Sequence, residues 1–259
     1  LEVFLVNSGG NPGLATTTVL DQYPVSSIVL GVDGVLGADA DIDAFSAGGF
    51  VSATTALQST SSAFMDVIVL RSFTWAYSTL TFLEIEINSE VFGVDALAFD
   101  NLDAGIVWST RDGPSDDIFY TRANPFKFLV ADTVNLTPNT PTTSQRAPEA
   151  IALDGGGFVM SFLLTAGGNA TVQIAFYNDN GVQVGSGGQR SPVSHDAVNL
   201  SMVQLSGGNI VVVWEDAVAG GVFFRVMDSA GMPIGGVGVA HLGPERAIST
   251  LPDVTETQD

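Results

Sequence analysis

The sequence contains no cysteine, which excludes disulfide bonds, thiol nucleophiles and metal sites that need thiolate ligands. It contains two histidines, so three-histidine zinc sites and mixed cysteine–histidine zinc sites are excluded as well. No Gly-x-Ser-x-Gly turn occurs, which argues against a serine nucleophile of the α/β-hydrolase kind. A metal ion bound to this chain would therefore be held mainly by oxygen atoms.

Basic residues are also scarce, because 8 Lys and Arg stand against 28 Asp and Glu, for a net charge of -20. Eight scattered cations cannot form a basic face, which argues against nucleic acid and against docking on anionic membranes. The longest apolar runs, such as residues 209–214, have the length of a strand, so no transmembrane segment is predicted. This charge balance leaves cations, neutral glycans and basic proteins as the candidate partners.

The sequence contains an internal repeat. Four segments share one pattern, an apolar strand, a Gly or Asp turn and a second apolar strand. The second strands open, at spacings of 56, 52 and 52, on Phe50, Ile106, Phe158 and Ile210. More strand-like sequence follows each hairpin, and no segment has a sustained helical period. Each unit therefore predicts about four short antiparallel strands.

A unit of about 50 residues with four strands has the size of a β-propeller blade. The sequence thus predicts an all-β fold, a propeller-like ring of about five four-stranded antiparallel blades in a single domain over 1–259. The predicted repeat units are 39–92, 93–145, 146–197, 198–243 and a split unit from 244–259 plus 1–30.

Two alternatives stay open at this point. The first is a pair of β-sandwich domains separated near residues 133–144, where richness in Pro and Thr resembles a linker. The second is that the chain is part of a larger chain or assembly, because the second strand of the split unit is poorly accounted for.

The third and fourth units carry a family resemblance. Residues 148–159 read Pro-Glu-Ala-Ile-Ala-Leu-Asp-Gly-Gly-Gly-Phe-Val, and residues 174–185 read Ile-Ala-Phe-Tyr-Asn-Asp-Asn-Gly-Val-Gln-Val-Gly. Residues 199–236 follow the same scheme, with Trp214 at a tryptophan position. This pattern, best over 148–236, resembles the repeat module of RTX-type and hemolysin-type secreted bacterial exoproteins and surface adhesins. The resemblance implies a secreted or cell-surface, extracellular location. The family's glycine-rich calcium nonapeptide is absent, so its calcium sites are not implied.

Alternate carboxylates mark the start of the first unit, at Asp39, Asp41 and Asp43. On a strand they point to one face, about 6 to 7 Å apart. Hard cations such as calcium favour clustered carboxylate oxygens. The chain lacks the glycine and distal glutamate of an EF-hand loop, so a solvated acidic strand edge is the alternative.

A second acidic group emerges when the units are aligned, because Asp41, Asp95 and Glu149 fall at the same position of successive units. The innermost strand of each propeller blade lines the axial channel, so these acids would crowd one mouth of it. Crowded carboxylates repel and need a cation, water or altered protonation. The predicted metal ligands are therefore Asp39, Asp41, Asp43, Asp95 and Glu149, with calcium as the candidate cofactor.

No catalytic residues can be selected from the sequence, because 28 acids offer too many pairs for glycoside hydrolysis. Residues 111–117 read as an exposed turn. The favoured function is a non-enzymatic binding or structural module of a secreted or cell-surface bacterial protein. The alternative is a secreted carbohydrate-active enzyme or lectin with a ligand site at the axial mouth.

The calcium hypothesis predicts a specific gain in stability. A ligand that binds the folded state alone stabilises it by about 2.7 kcal/mol at a hundredfold excess over Kd. We expect a higher melting temperature in millimolar calcium than in chelator. Sodium chloride at matched ionic strength is the control, since a charge of -20 also gains from general screening. A calcium gain no larger than the sodium gain would reduce the acidic mouth to a solvated rim.

Overall fold

The structure is a computed structural model. It describes residues 2–8, 11–17, 19–20, 23–24, 28–29, 40–44, 49–59, 64–74, 79–87, 91–99, 101–112, 115–124, 129–137, 143–153, 156–185, 187–191 and 196–242. Every regular element within these ranges is a β-strand, and all the pairings are antiparallel. The all-β prediction is therefore confirmed. The described residues include no helix long and apolar enough to cross a membrane.

The N-terminal strands form a three-stranded sheet, in the order β1-β2-β5, and a separate two-stranded pair of β3 and β4. Their bounds are β1 (Glu2–Ser8), β2 (Asn11–Thr17), β3 (Val19–Leu20), β4 (Tyr23–Pro24) and β5 (Ile28–Val29).

Four larger sheets follow in chain order, and each is a meander in which sequential strands pair. Sheet 1 contains β6 (Ala40–Ala44), β7 (Gly49–Ser59), β8 (Phe64–Thr74) and β9 (Thr79–Ile87). Sheet 2 contains β10 (Val91–Ala98), β11 (Ala104–Asp112), β12 (Ser115–Asn124), β13 (Leu129–Val130) and β14 (Val134–Asn135), with both β13 and β14 paired to β12.

Sheet 3 contains β15 (Thr143–Ala152), β16 (Phe158–Ala166), β17 (Asn169–Tyr177) and β18 (Gly188–Gln189). Sheet 4 contains β19 (Ala197–Gln204), β20 (Ile210–Asp216), β21 (Gly221–Met227) and β22 (Pro233–Leu242). The stretch 133–144, which the sandwich alternative treats as a linker, instead supplies β14 and the start of β15.

The first strands of successive sheets lie beside one another, in the order β6, β10, β15, β19. We call these four the inner strands. Each is joined to its second strand by a turn of the same length, as the terminal pairs of the ladders show. Those pairs are Ala44 with Phe50, Ala98 with Ala104, Ala152 with Phe158, and Gln204 with Ile210.

This register corrects one residue of the repeat alignment. The equivalent of Phe50 in sheet 2 is Ala104, and not Ile106. The alignment selected Ile106 because it is the first large apolar residue after the turn, whereas the strand begins two residues earlier on a small one. Corrected in this way, Trp108 and Trp214 occupy the same position in β11 and β20, four residues after the strand begins.

Among the residues whose burial is described, the core is divided into three apolar clusters, each between two successive sheets. One joins sheets 1 and 2, a second joins sheets 2 and 3, and a third joins sheets 3 and 4. Side chains alternate between the two faces of a strand. In β10, Val94 and Ala96 therefore pack toward sheet 1, while Leu97 packs toward sheet 3.

Trp214 lies fully buried in the cluster between sheets 3 and 4, together with Val212. Its indole Nε1 has no hydrogen-bond partner among the described residues. The ring stacks on Phe223, with centroids 6.2 Å apart. The residue therefore stabilises the fold through apolar burial and ring packing.

A turn glycine of one sheet rests on an aromatic ring of the sheet before it. Gly181 has φ +75°, and a Cβ built on it would lie 2.8 Å from Cδ1 of Tyr120. Gly231 has φ +80°, and a Cβ there would overlap the ring of Phe176. Both turns are also closed by a side chain, because Asn178 and Asp228 each accept two backbone hydrogen bonds. The Asx-x-x-Gly turns of the repeat thus permit close packing between sheets.

Substitutions of Trp214 test this packing. We expect Trp214→Ala to lower the free energy of unfolding by about 3 to 5 kcal/mol, through lost transfer energy and the cavity left behind. Trp214→Phe should cost much less, about 1 kcal/mol, because it also removes a buried N–H that has no acceptor. Urea denaturation measures both. Val182→Ala, at an exposed side chain, is the control and should change stability little.

Candidate functional site

The acids aligned in the sequence occupy one register on the inner strands. Asp41 pairs with Ala53, Asp95 with Val107, and Glu149 with Ser161. Each acid is the third residue before the end of its strand. Successive inner strands therefore carry a carboxyl group at the same level of the sheet.

Two carboxylates of the inner strands bind the backbone of the next sheet. Asp43 accepts a hydrogen bond from the amide of Ala98 in β10, at 2.9 Å. Asp95, which is 7% exposed, accepts a short hydrogen bond from the amide of Ala150 in β15. Charge-assisted bonds of this kind satisfy a buried carboxylate and hold its position. These acids therefore connect sheet 1 to sheet 2 and sheet 2 to sheet 3.

A β-bulge interrupts the inner strands of sheets 2, 3 and 4, within three residues before the position of the aligned acids. The ladder shifts between Val91 and Gly93, between Arg146 and Glu149, and between Val198 and Leu200. Two of the bulges contain a non-glycine residue in the left-handed region, Ala147 at φ 52° and Asn199 at φ 50°. Left-handed non-glycine residues store strain, and bulges change the direction of neighbouring side chains, often beside functional sites.

The bulge in β15 comes immediately before the acid position, whereas the bulges in β10 and β19 lie three and two residues before it. Gly93, Ala147 and Asn199 lie two residues before Asp95, Glu149 and Ser201, respectively. Sequence analysis missed the bulges, because alanine carries no signal for positive φ. Asparagine tolerates that conformation better than most residues, so Asn199 was the one readable sign.

Sheet 4 has a serine at the acid position, but it brings in a carboxylate from the next strand. The amide Nδ2 of Asn199 donates to Oε2 of Glu215 in β20, at 3.0 Å. The left-handed residue of this bulge therefore also positions an acid. Sheet 4 thus keeps a carboxyl group near the level that Asp95 and Glu149 occupy in sheets 2 and 3.

The predicted calcium ligands are only partly within the described structure. Asp39 lies outside the described residues, and for Asp41 the backbone alone is described. Asp43 and Asp95 are hydrogen-bonded to backbone amides, as above. Among the described residues, no group of three or more His, Asp or Glu side chains lies close enough to hold a metal ion. The calcium site therefore stays a prediction.

A second polar group surrounds the beginning of β15. Asp116 is 4% exposed, accepts a hydrogen bond from Oγ of Ser144 at 2.5 Å and forms an ion pair with Nη2 of Arg146 at 3.0 Å. Asp117 is equally buried and accepts a bond from Nδ2 of Asn135 at 2.9 Å. The expectation of an exposed turn is therefore wrong for these two acids, because the start of the next sheet covers them.

Arg146 extends this group to the surface. Its side chain is 52% exposed, while the carboxylate of Asp116 that holds it is buried. The residue directly precedes the bulge at Ala147 and lies three positions before Glu149. A solvent-accessible guanidinium thus lies close along the strand to a half-buried carboxyl group.

At the opposite end of the inner strands, Arg122 connects sheets 2 and 3. Its guanidinium donates to Asp103 at 2.8 Å and to Asp179 at 2.5 Å, and it lies over the ring of Phe99. The hydroxyl of Tyr120 donates to the carbonyl of Asp179 at 2.8 Å, and burial raises the pKa of that tyrosine. All these groups bind one another across the sheet interface, so their role is structural.

Comparison with known proteins places the fold. No family model and no curated protein matches the sequence. The Hadza microbial sialidase Hz136 has a TM-score of 0.53 at 12% identity, over 85% of this chain and 53% of its own. The Penicillium chrysogenum alpha-L-arabinanase, solved with arabinobiose, has a TM-score of 0.55 at 10% identity. The match covers 78% of this chain and 66% of the arabinanase. The NanB sialidase from Streptococcus pneumoniae has a TM-score of 0.51 at 13% identity. The match covers 80% of this chain and 33% of the sialidase.

These solved structures are β-propeller glycosidases, and at such identities the likeness concerns the fold. This chain spans about half of the length of the sialidase Hz136 and about two thirds of the length of the arabinanase. The described residues of this chain do not form a closed ring.

The comparisons overturn one prediction. The sequence analysis favoured a non-enzymatic binding or structural module. Similar solved structures are enzymes that act on carbohydrates, two of them sialidases and one an arabinanase. The favoured function is therefore wrong, and the comparisons support its alternative. The error arose because a repeat of sheets shows the architecture, whereas function depends on individual sites that the repeat does not reveal.

The bulge in β15 makes a prediction about stability. We expect Ala147→Gly to raise the free energy of unfolding by about 1 kcal/mol, because glycine adopts the left-handed conformation without a Cβ penalty. Ala152→Gly, at the end of the same strand, is the control and should lower it. Thermal and urea unfolding measure both. An equal loss of unfolding free energy in the two variants would contradict the presence of backbone strain at Ala147.

Proposed function

We propose that this chain is the propeller part of a secreted glycoside hydrolase, with its glycan site at the mouth lined by the inner strands. One observation carries the proposal. Carboxyl groups occur at the same level of successive inner strands, and a β-bulge lies three residues before Asp95 in β10 and directly before Glu149 in β15. The likeness of the fold to sialidases and an arabinanase supports the same substrate class.

Glycoside hydrolysis needs a pair of carboxyl groups on either side of the scissile bond. Asp95 and Glu149 lie on adjacent inner strands, and Asp95 accepts a bond from Ala150, the residue after Glu149. The half-buried Glu149 acts as the general acid that protonates the leaving oxygen. A second carboxylate, Asp95 or the equivalent Asp41, assists attack at the anomeric carbon.

The surroundings of Glu149 fit a polyhydroxylated ligand. Arg146 presents an exposed guanidinium, held in place by buried Asp116. Its remaining N–H groups can donate to sugar hydroxyls, and Ser144 contributes a hydroxyl on the same strand. Recognition of sugars depends on such fixed donors and acceptors around a concave site.

The finer architecture belongs to the same proposal. Four successive sheets with adjacent inner strands support a ring of about five blades within a single domain. The resemblance of 148–236 to bacterial exoprotein and adhesin repeats supports secretion or display at the cell surface. Calcium at the acidic start of the first unit completes the proposal as a stabilising ion.

Hydrolysis assays test the function. We expect the chain to release the chromophore from at least one member of a glycoside panel that includes sialosides and α-L-arabinofuranosides. Glu149→Gln should lower the rate about 10²- to 10⁴-fold, because the amide cannot donate the proton, while substrate binding persists. Asp132→Asn, at an exposed acid, is the matched control and should keep full activity.

Two results would count against the proposal. Equal rates for the parent chain and Glu149→Gln would exclude Glu149 from catalysis. Glycan binding by calorimetry without any hydrolysis would favour a lectin, the non-hydrolytic form of the same carbohydrate-binding site.

A further inference from the structure

Ser161 is a polar residue on an otherwise apolar face of sheet 3. It lies in β16, and its neighbours on the same face of that strand, Val159 and Leu163, are buried in the cluster between sheets 3 and 4. Ser161 itself is 0% exposed, and its Oγ has no hydrogen-bond partner among the described residues. A buried hydroxyl without a partner is destabilising, so packing alone does not account for the serine.

The other three sheets carry an aliphatic residue at this position. In the strand register, Ser161 corresponds to Ala53 in sheet 1, Val107 in sheet 2 and Val213 in sheet 4. All three of these residues are buried. The repeat therefore packs without a hydroxyl at this position, and the serine is particular to sheet 3.

The residue opposite this position in the ladder is the aligned acid of the inner strand. It is an aspartate in sheets 1 and 2, Asp41 and Asp95, and Ser201 in sheet 4. In sheet 3 it is Glu149, which pairs directly with Ser161. The buried serine thus occurs opposite the one glutamate among these four positions.

Glu149 and Ser161 lie on the same face of sheet 3. Ile151, two residues after Glu149 on β15, packs against the cluster between sheets 3 and 4, as do the neighbours of Ser161. The Cβ atoms of directly opposed residues in an antiparallel pair are about 4.5 to 5.5 Å apart. Rotation about the side-chain bonds can therefore bring Oγ of Ser161 within hydrogen-bond distance of the carboxyl group.

We propose that Ser161 is a positioning residue for Glu149, and that its hydroxyl donates a hydrogen bond to the carboxylate of Glu149. Glu149 becomes a carboxylate when it gives its proton to the leaving oxygen, and the hydroxyl then stabilises and orients the charged form. The bond also supplies the acceptor that Oγ of Ser161 lacks. The catalytic consequence rests on the proposed role of Glu149 as general acid, whereas the hydrogen bond itself does not.

The strands beside this pair limit which charges can act on Glu149. Neither β16 nor β19, which flank it, carries an ionisable side chain. A change in the titration of Glu149 after loss of the Ser161 hydroxyl would therefore not come from a displaced charge on those strands. The charged residues on β15 itself and on the other strands packed against it are Asp95, Arg111, Asp112, Asp116, Asp117, Arg122 and Arg146.

Two variants of nearly equal shape test the bond, because Ser161→Thr keeps the hydroxyl and Ser161→Val removes it. Valine stands at the equivalent position of sheets 2 and 4, so the fold should accept both. Urea unfolding of the full chain is measured from about pH 3 to pH 8, which spans the titration of a glutamate.

We expect the stability of Ser161→Thr relative to Ser161→Val to grow as the pH rises through the titration of Glu149, and to be lost as the pH falls through it. The reason is that a donor to the carboxylate depresses the pKa of the folded state. The ratio of the two unfolding equilibrium constants should change about 10-fold, as for a hydrogen bond to a charged group. In a Glu149→Gln background this pH dependence should disappear.

Activity gives a second measurement. Ser161→Val should lower kcat about 10-fold and leave KM unchanged, since a fully buried side chain does not touch the substrate. It should also move the alkaline limb of the pH–rate profile to higher pH, and Ser161→Thr should recover both properties. A parent chain without hydrolytic activity would refute the glycosidase proposal, while the unfolding experiment would still decide whether the bond exists.

Two results would overturn the proposal. One is a difference in stability between the threonine and valine variants that does not vary with pH. The other is a difference that varies to the same extent in the Glu149→Gln background, which would assign it to another titrating group. Ser161→Ala removes the hydroxyl without adding volume. Its stability relative to the parent chain should show the same pH dependence, so the result does not depend on the fit of the larger side chains.

Discussion

Each of the four larger sheets has two faces to bury and can bury neither by itself. The apolar clusters of the described residues therefore lie between sheets, and each draws on two successive sheets. Because burial of apolar area is the main stabilising term in folding, sheets 1 to 4 depend on one another in sequence. The other contacts described above, from the turn glycines to the inner-strand carboxylates, are ways of bringing one sheet close to the next.

That constraint also explains why acids occur on otherwise apolar inner strands. The amide of Ala150 lies at an interface where water is excluded, and the carboxylate of Asp95 satisfies it. The same arrangement joins Asp43 to Ala98. A carboxylate that holds two sheets together is also fixed in space, and a fixed carboxylate is what chemistry at the mouth requires. In the proposed glycosidase, structural and catalytic demands therefore coincide at one level of the sheets.

Much of the architecture could be predicted from the sequence, because a regular repeat of apolar strands and glycine turns is directly readable. The alignment of Asp41, Asp95 and Glu149 agrees with the observed strand register. The bulges could not be predicted, since the backbone conformation of Ala147 depends on its tertiary setting. The burial of Asp116 and Asp117 was also missed, because it results from the following sheet and not from the local turn sequence. The error in function followed from the same limit.

Several contacts between sheets run in one direction along the chain. Asp43 and Asp95 reach forward to the next inner strand, and the rings of Tyr120 and Phe176 receive glycines from the sheet that follows. Successive sheets therefore join head to tail, with a donor surface at one end and a different, complementary surface at the other. Head-to-tail joints close into a ring when the rotation per unit divides the circle, and otherwise continue into open stacks. In a protein built this way, the angle set at each joint determines the number of blades.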